Sequence, residues 1–126
     1  MFKQDYIMHH IREMIRAMIK LLFNVDTEFP SSQLINNPKA QDIANALLKK
    51  AADGHINEAE NELYEIIEHR TSENLMIGLI FYSYLNELND DFLKANDFNR
   101  DEVKDGIKCF VTKFGLGNMT DLFMLD

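Results

Sequence analysis

The chain has 126 residues, of which 46% are apolar and 27% charged, with a formal net charge of −8; this composition excludes a disordered chain and supplies enough length for one hydrophobic core. Its single cysteine, Cys109, excludes an intramolecular disulfide, and its longest apolar run, LMIGLIFYSYL at 75–85, falls short of the roughly 18–20 residues of a spanning helix. Residues 1–24 carry a net +2 and residues 25–126 a net −10, and so acidic a body argues against a nucleic-acid partner, which would need a basic stripe.

Read at 100° per residue, the opening segment predicts an amphipathic helix over 3–24. Ile7, Ile11, Met14, Met18 and Leu22 share one sector, Met8, Ile15 and Ile19 widen it, and Asp5, His9, Arg12, Glu13, Arg16 and Lys20 lie opposite. The arc is wider than that of an ordinary surface helix. Its apolar area is expected to exceed what the companion helices can shelter. A contact surface for a second copy or another protein is therefore expected at Ile7, Ile11, Met14 and Met18, with Arg12 and Arg16 beside it. The regular charges in this segment are unlike a secretory signal, and with the lone cysteine they point to the cytoplasm.

Residues 25–37 contain DTEFPSSQLINN and read as a connection before a helical body over 38–126. Asn37 followed by Pro38 is a capping residue before a first-turn proline. The second helix starts there, has its apolar positions at Ala40, Ile43, Ala44, Leu47, Leu48 and Ala51, and ends at Gly54, which can take positive φ. HINEAENELYEIIEHR continues the helical period at Ile56, Ala59, Leu63, Ile66 and Ile67, making 38–70 a helix hairpin. That hairpin resembles one tetratricopeptide unit, with Ala59 and Leu63 at its small and large packing positions. The likeness stops near 96–99, where a further unit would need helix interior.

The fourth helix, expected over 73–93, is apolar on nearly every side and reads as the central element, with Gly78 marking the close approach of another helix. In FNRDEV, Asn99 can cap, Glu102 occupies the capping-box position, and Phe98 and Val103 can form a hydrophobic staple, so a fifth helix starts near Arg100 and stops at Gly115. The tail LGNMTDLFMLD offers Thr120 as a cap and apolar residues for a last docked turn. The fold expected is all-α: a single domain, an antiparallel bundle of about five helices including the tetratricopeptide-like hairpin.

Residues that could carry chemistry are few. His9 shares a helix face with Asp5 and Glu13, which are ligand types for a divalent metal, yet such a face is more commonly a solvated row of local ion pairs. Glu58, Glu62, Glu65 and His69 run along the third helix, but Glu65 and His69 stand four residues apart rather than in the Glu-x-x-His spacing of bundle metal sites. Cys109 has no histidine nearby in sequence and reads as a structural thiol. The methionines at 8, 14 and 18 suit core filling before an adaptable groove, while Tyr82, Tyr84 and Asn86 could line a pocket at the end of the central helix. With no nucleophile elbow, phosphate loop or Cys-x-x-Cys motif in the sequence, neither catalysis nor a metal or cofactor is expected.

The segments DYIMHHIREMIRAMIKLLFNVDTEFP, INEAENELYE, IFYSYLNE and FNRDEVKDGI together resemble the small helical bacterial proteins of domain of unknown function 6483. The resemblance covers nearly the whole chain and implies a bacterial cytoplasmic protein with no established activity. The family pattern carries arginine at the position of His9, which counts against an essential metal role there. The function expected is a non-enzymatic protein-interaction module that self-associates, as a dimer in the simplest case, through its first helix. One alternative is a small-ligand or metal-responsive regulator using Asp5, His9 and Glu13, or the region of Tyr82 and Asn86. Another is reversible membrane attachment through the first helix, weakened by the absence of tryptophan and the acidic body.

Overall fold

The computed structural model describes residues 2–122, and every regular element among them is helical. In chain order these are α1 (Phe2–Phe23), a 3-10 turn at Ser32–Leu34, α2 (Pro38–Ala52), α3 (Ile56–Ile66), α4 (Ser72–Glu87), α5 (Asp90–Ala95), α6 (Arg100–Lys113) and α7 (Gly117–Leu122).

Side-chain caps set most of the helix starts. Asn37 accepts from the Lys39 amide at 2.8 Å, Thr71 from Asn74 at 3.1 Å, and Asn99 from Glu102 at 2.8 Å, each pairing an amide that the first turn leaves without an intrahelical partner. Gly54, at φ +97°, turns the chain between α2 and α3, as expected. Asn24 and Asp97 take the same left-handed region without being glycine, and Asn24 ends α1 with its amide bonded to the Lys20 carbonyl at 3.0 Å.

Seven helices form among the described residues rather than about five. The single helix expected over 73–93 is broken because Leu88 is extended, at ψ 145°, and Asn89 captures the Phe92 amide at 2.7 Å to start α5. The final turn is α7; the apolar residues after Leu122 lie outside the described residues. Thr120 is no cap, being buried with its hydroxyl donating to the Gly117 carbonyl at 2.7 Å.

The core is organised by α4, against which α1, α2 and α6 all pack. Along it, every residue from 75 to 86 except Tyr84 is buried. Gly78 is where α6 comes closest: a Cβ there would lie 1.9 Å from the Phe110 ring, so only hydrogen fits.

The expectation for α1 requires correction. Ile7, Ile11, Met14 and Met18 are buried within the chain's own core, as are Ile15 and Ile19. The companions shelter the arc because α4 is apolar all round and can serve α1, α2 and α6 at once. Only the end of the predicted sector, Leu22, remains exposed.

Candidate functional site

The two arginines expected beside an intermolecular surface are occupied within the chain. Arg12 grips Glu87 through a two-pronged contact, Nε at 2.9 Å and Nη2 at 2.8 Å, and its guanidinium lies 5.3 Å above the Phe29 ring. The hydrogen bonds to Glu87 raise the Arg12 pKa above its ordinary value. Arg16 pairs with Asp26 at 2.8 Å and holds that carboxyl below the usual carboxylate range. Much of the basic surplus of α1 is thus answered by acids of the same chain.

Asp5, His9 and Glu13, weighed in the sequence as a possible but less common ligand set, are not brought together as one. Asp5 and His9 are exposed, His10 stacks on Tyr6 at 4.2 Å, and among the described residues no three His, Cys, Asp or Glu side chains converge as a metal site would require. On α3, Glu62 is engaged by Lys50 of α2 while Glu58 and Glu65 face solvent, and His69 lies beyond the end of the helix, exposed and out of any row with them.

Of the three residues that could have lined a pocket at the end of the central helix, Tyr82 and Asn86 are fully buried and Tyr84 is half-buried. Asn86 crosslinks helices, its Nδ2 donating to the Met8 carbonyl of α1 at 2.8 Å while its backbone carbonyl accepts from Arg100 Nη1 at 2.6 Å. Arg100 is only 3% exposed although it opens α6. Its Nη2 reaches the Leu88 carbonyl at 2.7 Å and Asp90 Oδ1 at 2.8 Å, so one guanidinium closes the end of α4 and ties it to α5. A cation at a helix C-terminus meets the negative end of the dipole and carbonyls that lack intrahelical donors. A cavity of about 370 Å³ adjoins this corner, lined by Lys94, Phe98, Asn99 and Arg100 with three acids, but the buried guanidinium is already committed to the fold.

The chemically distinctive place is a shallow cleft of about 260 Å³ lined by Glu60 and Tyr64 of α3 and by Glu102, Asp105, Gly106 and Cys109 of α6. At its base Tyr82 donates to Glu60 Oε2 at 2.6 Å. Burial, with the negative charge of Glu60 beside it, pushes the Tyr82 phenol far above its ordinary value, so it stays a donor. Burial also raises the Glu60 carboxyl, the Tyr82 hydrogen bond opposing and Glu102 adding to the rise. Burial lifts the Tyr64 phenol as well, and Lys113 lies 5.5 Å from its ring. Perturbed ionisable groups gathered in a cleft are a mark of functional sites. The cleft offers proton acceptors and one exposed thiol, Cys109.

In the sequence Tyr82 stands out as a possible pocket residue and Cys109 as a structural thiol, while Glu60 reads as one more surface glutamate on an acidic helix; the link between Glu60 and Tyr82 spans 22 residues and has no periodic signature.

No curated protein and no solved structure matches the chain at significance. The family likeness drawn from its sequence segments does hold: residues 1–115 match the family of unknown function DUF6483, and the chain belongs to that family.

Proposed function

We propose that the protein is a non-enzymatic, cytoplasmic helical interaction module that associates with a second copy of itself through the outer flank of α1. The supporting observation is the distribution of solvent-exposed apolar side chains. Among the described residues five large ones are exposed: Tyr6, Leu21 and Leu22 belong to α1 and Phe29 to the connection folded back along it, with Ile43 on α2 the fifth. Tyr6 and Leu21 are 65% and 71% exposed. Both lie on one side of the helix at 100° per residue, with His10 and Ala17 between them. An aromatic and a leucine placed in solvent along one stripe suit a contact with another apolar stripe, and an isologous pair supplies one. In this reading the α2–α3 hairpin, with its tetratricopeptide-like spacing, is scaffold.

This surface differs from the one that periodicity suggests, because Ile7, Ile11, Met14 and Met18 are already inside the bundle. Light scattering at micromolar concentration tests the reading. The intact chain should weigh more than one protomer, and Tyr6→Glu with Leu21→Glu should reduce it to one while leaving the melting temperature of the isolated bundle nearly unchanged. A wild-type mass of one chain throughout, or a variant mass equal to that of the wild type, overturns it.

A further inference from the structure

Glu60 is a half-buried carboxylate whose hydrogen-bond donor is a phenol rather than a cation, and it takes part in none of the ion pairs among the described residues. The groups around it come from three helices. Tyr82 of α4 lies beneath it, Tyr64 stands beside it on α3, and Glu102, Asp105 and Cys109 face it from α6. The nearby lysines are engaged elsewhere: Lys50 of α2 is held by Glu62, and Lys113 of α6 lies over the Tyr64 ring. Contact with α6 is made over bare backbone, since a Cβ on Gly106 would come within 2.8 Å of Glu60 Oε2 and 2.7 Å of the Tyr82 ring.

Elsewhere α3 is held mainly by α2. At its two ends it is pinned by Asn57 Nδ2 on the Asp97 carbonyl and by Asn74 Nδ2 on the Ile66 carbonyl, both at 3.2 Å. Beside the buried Ile56, Ala59 and Leu63, Glu60 gives α3 a polar point toward α4 and α6, where it feels the charge of Glu102 and shares the cleft with Asp105.

We propose that the seam between α3 and α6 is a proton-operated latch, in which an uncharged Glu60 closes α3 over Tyr82 and Gly106 and an ionised Glu60, facing Glu102 and Asp105, loosens it. The sign follows from linkage. With the carboxyl of the closed state raised above its ordinary value, both closed and open states are protonated below the ordinary carboxylate range, and closure is at its strongest. As pH rises through the raised value, the closed state must hold a charge that the open state hydrates freely, and closure weakens. A proton on Glu60 also removes the repulsion from α6, while Tyr82 can still donate to the carbonyl oxygen of the acid.

Hydrogen exchange on the full chain tests the latch without a ligand. Protection factors of α3 amides are compared with those of α4, whose deep burial makes it the internal reference. Between about pH 4 and about pH 8, protection of α3 in the wild type should fall relative to α4, by about tenfold for each unit by which closure displaces the carboxyl. Glu60→Gln keeps an acceptor for Tyr82 and removes the charge, so it should hold α3 closed at both pH values. Glu58→Gln, at an exposed position of the same helix, should follow the wild type. A wild-type ratio that does not change with pH overturns the proposal, as does Glu60→Gln falling in step with the wild type.

Discussion

Replacing Arg100 by alanine should be among the most damaging single changes to a charged residue in this protein. The side chain is 3% exposed and makes three short contacts: 2.6 Å to the Asn86 carbonyl, 2.7 Å to the Leu88 carbonyl and 2.8 Å to Asp90. Hydrogen bonds from a charged group to the two carbonyls are worth roughly 1.5–3 kcal/mol each. Asp90 is 55% exposed, which limits that pair to about 1 kcal/mol or less. Against these stands Arg100 Nε, buried without a hydrogen-bond partner, a cost of about 1–3 kcal/mol that alanine relieves. The net loss expected is about 3 kcal/mol, or about 10 °C in Tm for a domain of this size. Urea denaturation measures it, with an unchanged m value showing that the unfolded state is not involved. Asp90→Asn should cost less than about 1 kcal/mol. If Arg100→Ala proves no worse than Asp90→Asn, the guanidinium is an ordinary surface partner and its role at the end of α4 is wrong.

Three further outcomes follow from packing and charge. Helix propensity alone would have Gly78→Ala stabilise α4 by about 1 kcal/mol, but the Phe110 ring occupies the space of the new methyl, so calorimetry should show a net loss of about 1–3 kcal/mol. Ile11→Glu or Met18→Glu places a charge in the core and should abolish the cooperative melt seen by circular dichroism, whereas Leu21→Glu should alter monomer stability by no more than about 0.5 kcal/mol. Tyr82→Phe removes the donor that opposes the rise in the Glu60 pKa. The folded carboxyl is then displaced further upward, so the stability lost relative to the wild type should be larger at neutral pH than below the ordinary carboxylate range. Denaturation of both proteins across that interval checks the sign, and equal losses at both ends would refute it.

Much of the architecture was legible because it rests on local rules. Asn37 before Pro38, Gly54 after Ala52 and Asn99 three residues before Glu102 each announce a helix boundary through a backbone group that needs a partner. The apolar character of α4 announced the centre of the bundle, and Gly78 a close neighbour. The fate of the α1 arc was not legible, since periodicity measures the width of one face and says nothing of the area its companions offer. The break at Leu88 hides for a related reason: Leu93 and Phe92 prolong the apolar period across it, and only the backbone change at Leu88 and the cap at Asn89 reveal two helices. Arg100 reads as an ordinary first-turn residue because its carbonyl partners lie 12 to 15 positions back in the chain. Tyr82 and Glu60 meet only once α3 and α4 are assembled, and α6 completes the cleft, so the site exists in the fold and not in any segment.

The notch at Gly78 also governs how this chain could vary in length. Phe110 seated in it fixes the depth at which α4 and α6 slide past each other, and a shift of one turn, about 5.4 Å, would bring the ring against side chains rather than bare backbone. Insertions or deletions between these two residues are thereby steered away from the helical stretches flanking the notch and into the corner between Glu87 and Arg100. That corner holds the short α5, where a change of length leaves the two long rods aligned as long as Arg100 keeps its carbonyl partners at the end of α4.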